Sequence, residues 1–181
     1  HPILFTKSSD GNFRAMAVLA TGPILSDTPT MNHWVDAQGK WVGQVVPGVL
    51  KLYPFALTST EGETAVCADT SGTALSTHKG AALFSKDGTP SGALIDIMGV
   101  LQRWHRKTLA TQILLRSLDR LGLIVPLENS QAFNQWSHAW QVDSQRLEEL
   151  SAASMLVLRR ERWLKPIYAH LTSLTNFYAH Q

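Results

Sequence analysis

The chain has 181 residues, 44% of them hydrophobic and 17% charged, with a formal net charge of +2. That much apolar material over that length fits one domain, residues 1–181, or at most two small ones, with a real core, and it argues against disorder. A charge so near zero excludes bulk attraction alone as the means of holding a polyanion.

Ile3-Leu4-Phe5 reads as a short strand, Ser9-Asp10-Gly11-Asn12 as turn chemistry, and Phe13 to Ala20 as a second strand, so these pair as a hairpin. After a stretch containing Pro23 and Pro29, the run His33 to Val42 holds Asp-Ala-Gln-Gly between aromatic and β-branched residues, a second hairpin signal. Val45 to Tyr53 suits a short helix stopped by Pro54, because the residue before proline avoids helical geometry. Leu57–Thr60 and Thr64–Ala68, divided by Glu61-Gly62-Glu63, give a third hairpin. Cys67 stands in that apolar run, where a thiol acts as a small buried hydrophobe, slow to react while the fold holds.

The second half reads as helix. Ser91 caps a run of about thirty residues in which Leu94, Ile97, Leu101, Trp104, Leu115 and Leu118 recur broadly on one face, and Gly122 ends it. Trp140-Gln141-Val142 is a last short strand, and Asp143 or Ser144 caps the next helix. Ala152–Trp163 and Lys165–Tyr178 continue as helix, with Pro166 kinking it or opening a new one. Strands followed by helices make the fold α+β, with strands almost entirely before residue 70.

Several segments, in order, carry a resemblance. Pro2-Ile3-Leu4-Phe5 with Met16-Ala17-Val18-Leu19 is one, and Trp34-Val35-Asp36 with Trp41, Val46-Pro47 and Leu52-Tyr53-Pro54-Phe55 is another. Leu83-Phe84 with Asp87-Gly88-Thr89-Pro90-Ser91, and the closing Ile167-Tyr168-Ala169-His170-Leu171-Thr172-Ser173-Leu174, complete the set. Together they resemble the SapC family of bacterial proteins. An Arg that the family usually places before Tyr-Pro-Phe is replaced here by Leu52, after Lys51. The resemblance implies that a segment ahead of the first strand is missing from this chain. It also implies a place in the bacterial cytoplasm or cell envelope. Partners implied the same way are a surface-layer component or a flavin-dependent halogenase-like protein. No catalytic residue comes with it.

The residues themselves assign no reaction. The seven histidines show no H-x-x-x-H or H-x-H spacing, and one cysteine excludes both an intrachain disulfide and a multi-cysteine zinc site, so no metal and no cofactor is expected. No G-x-S-x-G and no phosphate-cradling glycine loop occurs. An enzyme would need a convergent site around His170, His78 or Asp69. Arg103-Trp104-His105-Arg106-Lys107 could grip phosphates from one helix face, but a solvated basic face over an inward Trp104 explains it better, and nucleic acid is not expected as a partner. Residues 1–96 hold six Lys/Arg against eight Asp/Glu and residues 97–181 hold ten against six, which fits that solvated helical half. No apolar run reaches the roughly 18 residues of a membrane span.

Aromatic rings say more. Phe133 to Trp140 places Trp136 and Trp140 in a polar loop, and Trp34, Trp41 and Tyr53 form a second group. Rings of this kind anchor partners because they combine large contact area with few rotatable bonds. The expectation is therefore a non-catalytic binding or accessory protein, taking a small molecule, peptide or partner protein through Trp34, Trp41, Tyr53, Trp136, Trp140 and His170.

Overall fold

The tight turn at Ser8–Asn12 sets the first hairpin. The Asp10 carboxylate accepts from the Ser8 hydroxyl and the Asn12 N–H, and Gly11 takes the positive φ of 78° that the turn requires. Strand β1 (Ile3–Lys7) then faces β2 (Phe13–Ala17), Ile3 opposite Ala17 and Lys7 opposite Phe13, with the Lys7 ammonium 5.4 Å above the Phe13 ring. The computed structural model describes residues 1–19, 32, 34–60, 63–127 and 138–178. They gather into two compact units, residues 1–43 with 111–181, and residues 44–110. The long helix α1 (Gly92–Arg120) belongs partly to each.

In the first unit, Gly122 ends α1 and β5 follows (Ile124–Pro126), then β6 (Ala139–Val142). The sheet runs β2-β1-β6-β5, antiparallel throughout, with Phe5 opposite Trp140 and Ile124 opposite Val142. Half of its strands thus come from beyond residue 120, against the expectation that strands lie almost wholly before residue 70. The reason is that Leu4 and Phe5 are adjacent and both buried, so β1 is enclosed on both faces and its second edge needs a partner strand. β6 supplies it. The architecture is α+β.

Three further helices close this unit. Asp143 caps α2 (Ser144–Glu148) by accepting from the N–H groups of Gln145 and Arg146, and the Ser151 hydroxyl caps α3 (Ala152–Arg160) through Ser154 N–H. Helix α4 (Leu164–Tyr178) is a new helix with Pro166 in its first turn, where a missing N–H does no harm. α1 and α3 end alike. Leu123 N–H bonds Leu118 C=O with Gly122 at φ 67°, and Trp163 N–H bonds Leu158 C=O with Arg162 at φ 59°. The main core joins Phe5, Leu115, Leu118, Leu158 and Ile167, and a smaller cluster joins Leu4, Val18 and Ala139.

The second unit is built from local turns. A 3-10 helix at Gly48–Leu52 replaces the expected helix, and the Tyr53–Pro54 peptide is cis. Strands β3 (Phe55–Thr60) and β4 (Glu63–Ala68) form a separate hairpin, with Ala56 opposite Cys67. Cys67 is exposed, not buried as its apolar neighbourhood suggests. The alternation of a strand decides this: Leu57 and Val66, opposite each other, take the more sheltered face and leave Ala56 and Cys67 outward. The Ser91 hydroxyl caps α1 through Leu94 N–H (3.3 Å) and donates to Ala82 C=O (2.6 Å).

Candidate functional site

The second hairpin signal produces a compact aromatic station. Asp36 Oδ1 accepts from the N–H groups of Gln38 (3.0 Å) and Lys40 (2.8 Å), Gly39 takes φ 80°, and Val35 bridges Trp41. That turn lays the rings of Trp34 and Trp41 together, centroids 6.3 Å apart and planes 17° from parallel, with His1 edge-on to Trp34 at 5.9 Å. Both tryptophans are half-buried. Gly43 backs the pair so closely that a Cβ there would stand 2.7 Å from Trp34 Cε3 and 2.8 Å from Trp41 Nε1. The Trp41 Nε1–H is shut from solvent with no acceptor among the described residues, a donor whose desolvation costs on the order of 1–3 kcal/mol.

The other expected residues fall elsewhere. Trp140 is half-buried on β6, its ring edge-on to Phe13 at 5.6 Å, so it packs against the main core. Trp136 lies outside the described residues. Tyr53 belongs to the second unit, where its hydroxyl donates to Asp69 Oδ2 at 3.2 Å and lies against the bare backbone of Gly72. Partial desolvation, helped by the Asp69 carboxylate, raises the Tyr53 phenol, while the Ser71 hydroxyl and N–H hold Asp69 below its usual range. His78 is exposed, its N–H donating to the Ser76 hydroxyl. Arg103 and Arg106 are exposed, but Trp104 is not the inward ring expected beneath them: it lies against the bare backbone of Gly48 and is itself 38% exposed.

His170 is part of the interior, 4% exposed. Its ring stacks on Phe5 at 4.4 Å, and Nε2 accepts from the Val142 N–H at 3.0 Å. The neutral ring therefore carries its proton on Nδ1, which points toward the Ile3 backbone without reaching a well-formed hydrogen bond there or to any other described residue. Burial lowers its pKa to about 4, with the Ile3 backbone pulling weakly the other way. One turn on, the Ser173 hydroxyl donates to His170 C=O and accepts from Ile3 N–H, tying α4 to β1. His170 thus joins helix to sheet, and its ring faces core and backbone rather than a substrate.

One concave feature was not legible beforehand. A groove of about 440 Å3 runs between the C-terminal turn of α1 and the length of α3, with Ser117 and Leu121 on one wall, Ala153 and Val157 on the other, and Trp163 beside them. Small residues at 117, 153 and 154 hold the walls back, a pattern that looks ordinary until the helices are placed. Among the described residues, no three His, Cys, Asp or Glu side chains converge as a metal site, and no helix is long and apolar enough to cross a membrane.

A four-stranded antiparallel sheet under helices, with a stacked tryptophan pair and a helix–helix groove, defines a small α+β protein. The family model described as SapC matches residues 1–179, and the chain belongs to the SapC family. No curated protein and no solved structure matches it.

Proposed function

We propose that this chain is a non-catalytic binding or accessory protein, and that the Trp34–Trp41 station is where it receives a small molecule, peptide or partner protein. The Trp41 Nε1–H carries this reading. A buried indole donor without an acceptor, beside two partly open rings, is suited to a guest that brings a flat apolar surface and a carbonyl or carboxylate. By family resemblance the guest belongs to a surface-layer component or a flavin-dependent halogenase-like protein of the bacterial cytoplasm or envelope. Tyr53 is a second contact in this reading, Trp136 and Trp140 lend theirs from the other aromatic group, and the chain acts as a single domain.

The test is direct. In a screen of aromatic carboxylates and amides against 15N-labelled protein, the Trp41 indole proton signal should move downfield with binders. Trp41→Ala should abolish binding while the other tryptophan signals stay dispersed. A screen in which binders appear but leave the Trp34 and Trp41 signals unmoved would place binding elsewhere.

A further inference from the structure

We propose that the groove between α1 and α3 docks an acidic amphipathic helix of a partner protein, apolar face inward. This goes beyond the reading of the tryptophan station and shares none of its residues.

The walls are polar in name only. The Ser117 hydroxyl donates back to Ile113 C=O at 3.0 Å, and the Ser154 hydroxyl is engaged by Ser151 at 3.1 Å. With those groups already satisfied, the groove has little to offer a polar small molecule and much to offer aliphatic side chains. The wall residue Val157 is 50% exposed, and Ile113, one turn before Ser117 on α1, and Leu156, beside Val157 on α3, are each 54% exposed. From Ile113 to Leu121 the α1 wall runs roughly 12 Å, a little over two helical turns, which suits an occupant with anchors at i, i+3/i+4 and i+7.

The charge of the rim selects the occupant. Of the lining residues Arg120 and Glu161 are charged and offset each other, and the exposed flanking positions of residues 113–121 and 152–163 add Arg116, Arg159, Arg160 and Arg162 against Asp119. Among the described residues the ion pairs are Arg14–Asp10 and Arg146–Asp143, so none of these five arginines has a carboxylate partner. Helix C-termini favour cations, and that accounts for Arg120, Arg159 and Arg160 without any ligand. It does not account for Arg162. That residue lies beyond the helix in the left-handed region at φ 59°, where the matching end of α1 uses Gly122. Among the described residues it is the one non-glycine with positive φ, and it stands between the groove residues Glu161 and Trp163. An arginine kept where glycine is easier points to a use for its charge.

Two labelled helical peptides test the proposal, both with leucines at i, i+3, i+4 and i+7, one with glutamates on the remaining face and one with lysines. Fluorescence anisotropy should show the glutamate peptide binding by about tenfold or more over the lysine peptide, with affinity falling as salt rises. Arg120→Glu with Arg160→Glu should reverse that preference. Arg162→Gly should raise the melting temperature and weaken glutamate-peptide binding, two opposite effects that a purely structural arginine would not produce. Equal binding of both peptides, or none, overturns the proposal. So does binding to phosphatidylglycerol vesicles in place of the peptide, or a dimer in light scattering that Val157→Asp dissociates.

Discussion

The two units of this chain are stabilised in different ways. Among the described residues, every buried hydrophobic side chain except Leu94 and Leu101 belongs to the first unit, and those two belong to neither core cluster. The second unit leaves Val45, Val49, Tyr53, Phe84 and Ile95 more than half exposed. It relies on a two-stranded ladder, on Asp69 and Asp87 accepting from residues two further on, and on the Ser91 cap. A unit with few buried apolar contacts sits at the low end of local stability, so opening should begin there.

The largest effect expected from this contrast is in core truncations. Leu158→Ala, at a fully buried position of the main cluster, should cost about 4–5 kcal/mol, and Leu101→Ala nearer 2 kcal/mol, the two ends of the range for such cavities. Urea denaturation measures both. Equal costs would mean that the second unit is as tightly packed as the first.

Acid should act through the first unit. His170 folds neutral with a pKa of about 4 against 6.5 unfolded, so its contribution is complete above about pH 6.5 and is lost as pH falls toward 4. The loss is about 3 kcal/mol at most. Protonating Nε2 also breaks the Val142 N–H bond, which loosens α4 from β6. His170→Gln keeps an acceptor for that N–H and removes the titration, so the denaturation midpoint should become nearly flat between pH 6.5 and 4. A variant with the slope unchanged would assign the acid sensitivity elsewhere.

The smallest effect is kinetic. Cys67 is exposed on β4, so a thiol reagent should label it at close to the rate of a free cysteine without denaturant. Slow labelling that urea accelerates would show the β3–β4 hairpin to be covered in solution.

Much of the local structure was legible because short-range chemistry sets it. Ser9 to Asn12 marks the first turn, Asp143 and Ser91 the starts of α2 and α1, and Gly122 the end of α1, each through bonds within a few residues. Pairings between distant segments were not. β5 is three residues long and ends in proline, too brief for any periodicity, and it exists because β6 offers Val142 opposite Ile124. The end of α3 was hidden because Arg162 occupies a position normally marked by glycine. Of the candidate residues, Trp34 and Trp41 are brought together by the turn that the sequence marks, whereas His170 was read as a contact and is an interior tie, since its burial depends on β1 and β6 meeting α4. The groove depends on the end of α1 lying along α3, which no local pattern records.

The position of β1 in its sheet has a consequence for the chain as it is made. β1 lies between β2 and β6, and its partner on one side begins ten residues after its own first residue, while the other is Ala139–Val142. During synthesis the hairpin therefore stands with one edge of β1 bare, carrying Leu4 and Phe5, until more than a hundred further residues have emerged. An uncovered apolar edge is a template for another chain's strand. The interval before β6 docks is the period in which two nascent copies can join edge to edge, and whatever keeps copies apart or covers the edge during it, such as slower initiation or a chaperone on the hairpin, should raise the yield of folded protein.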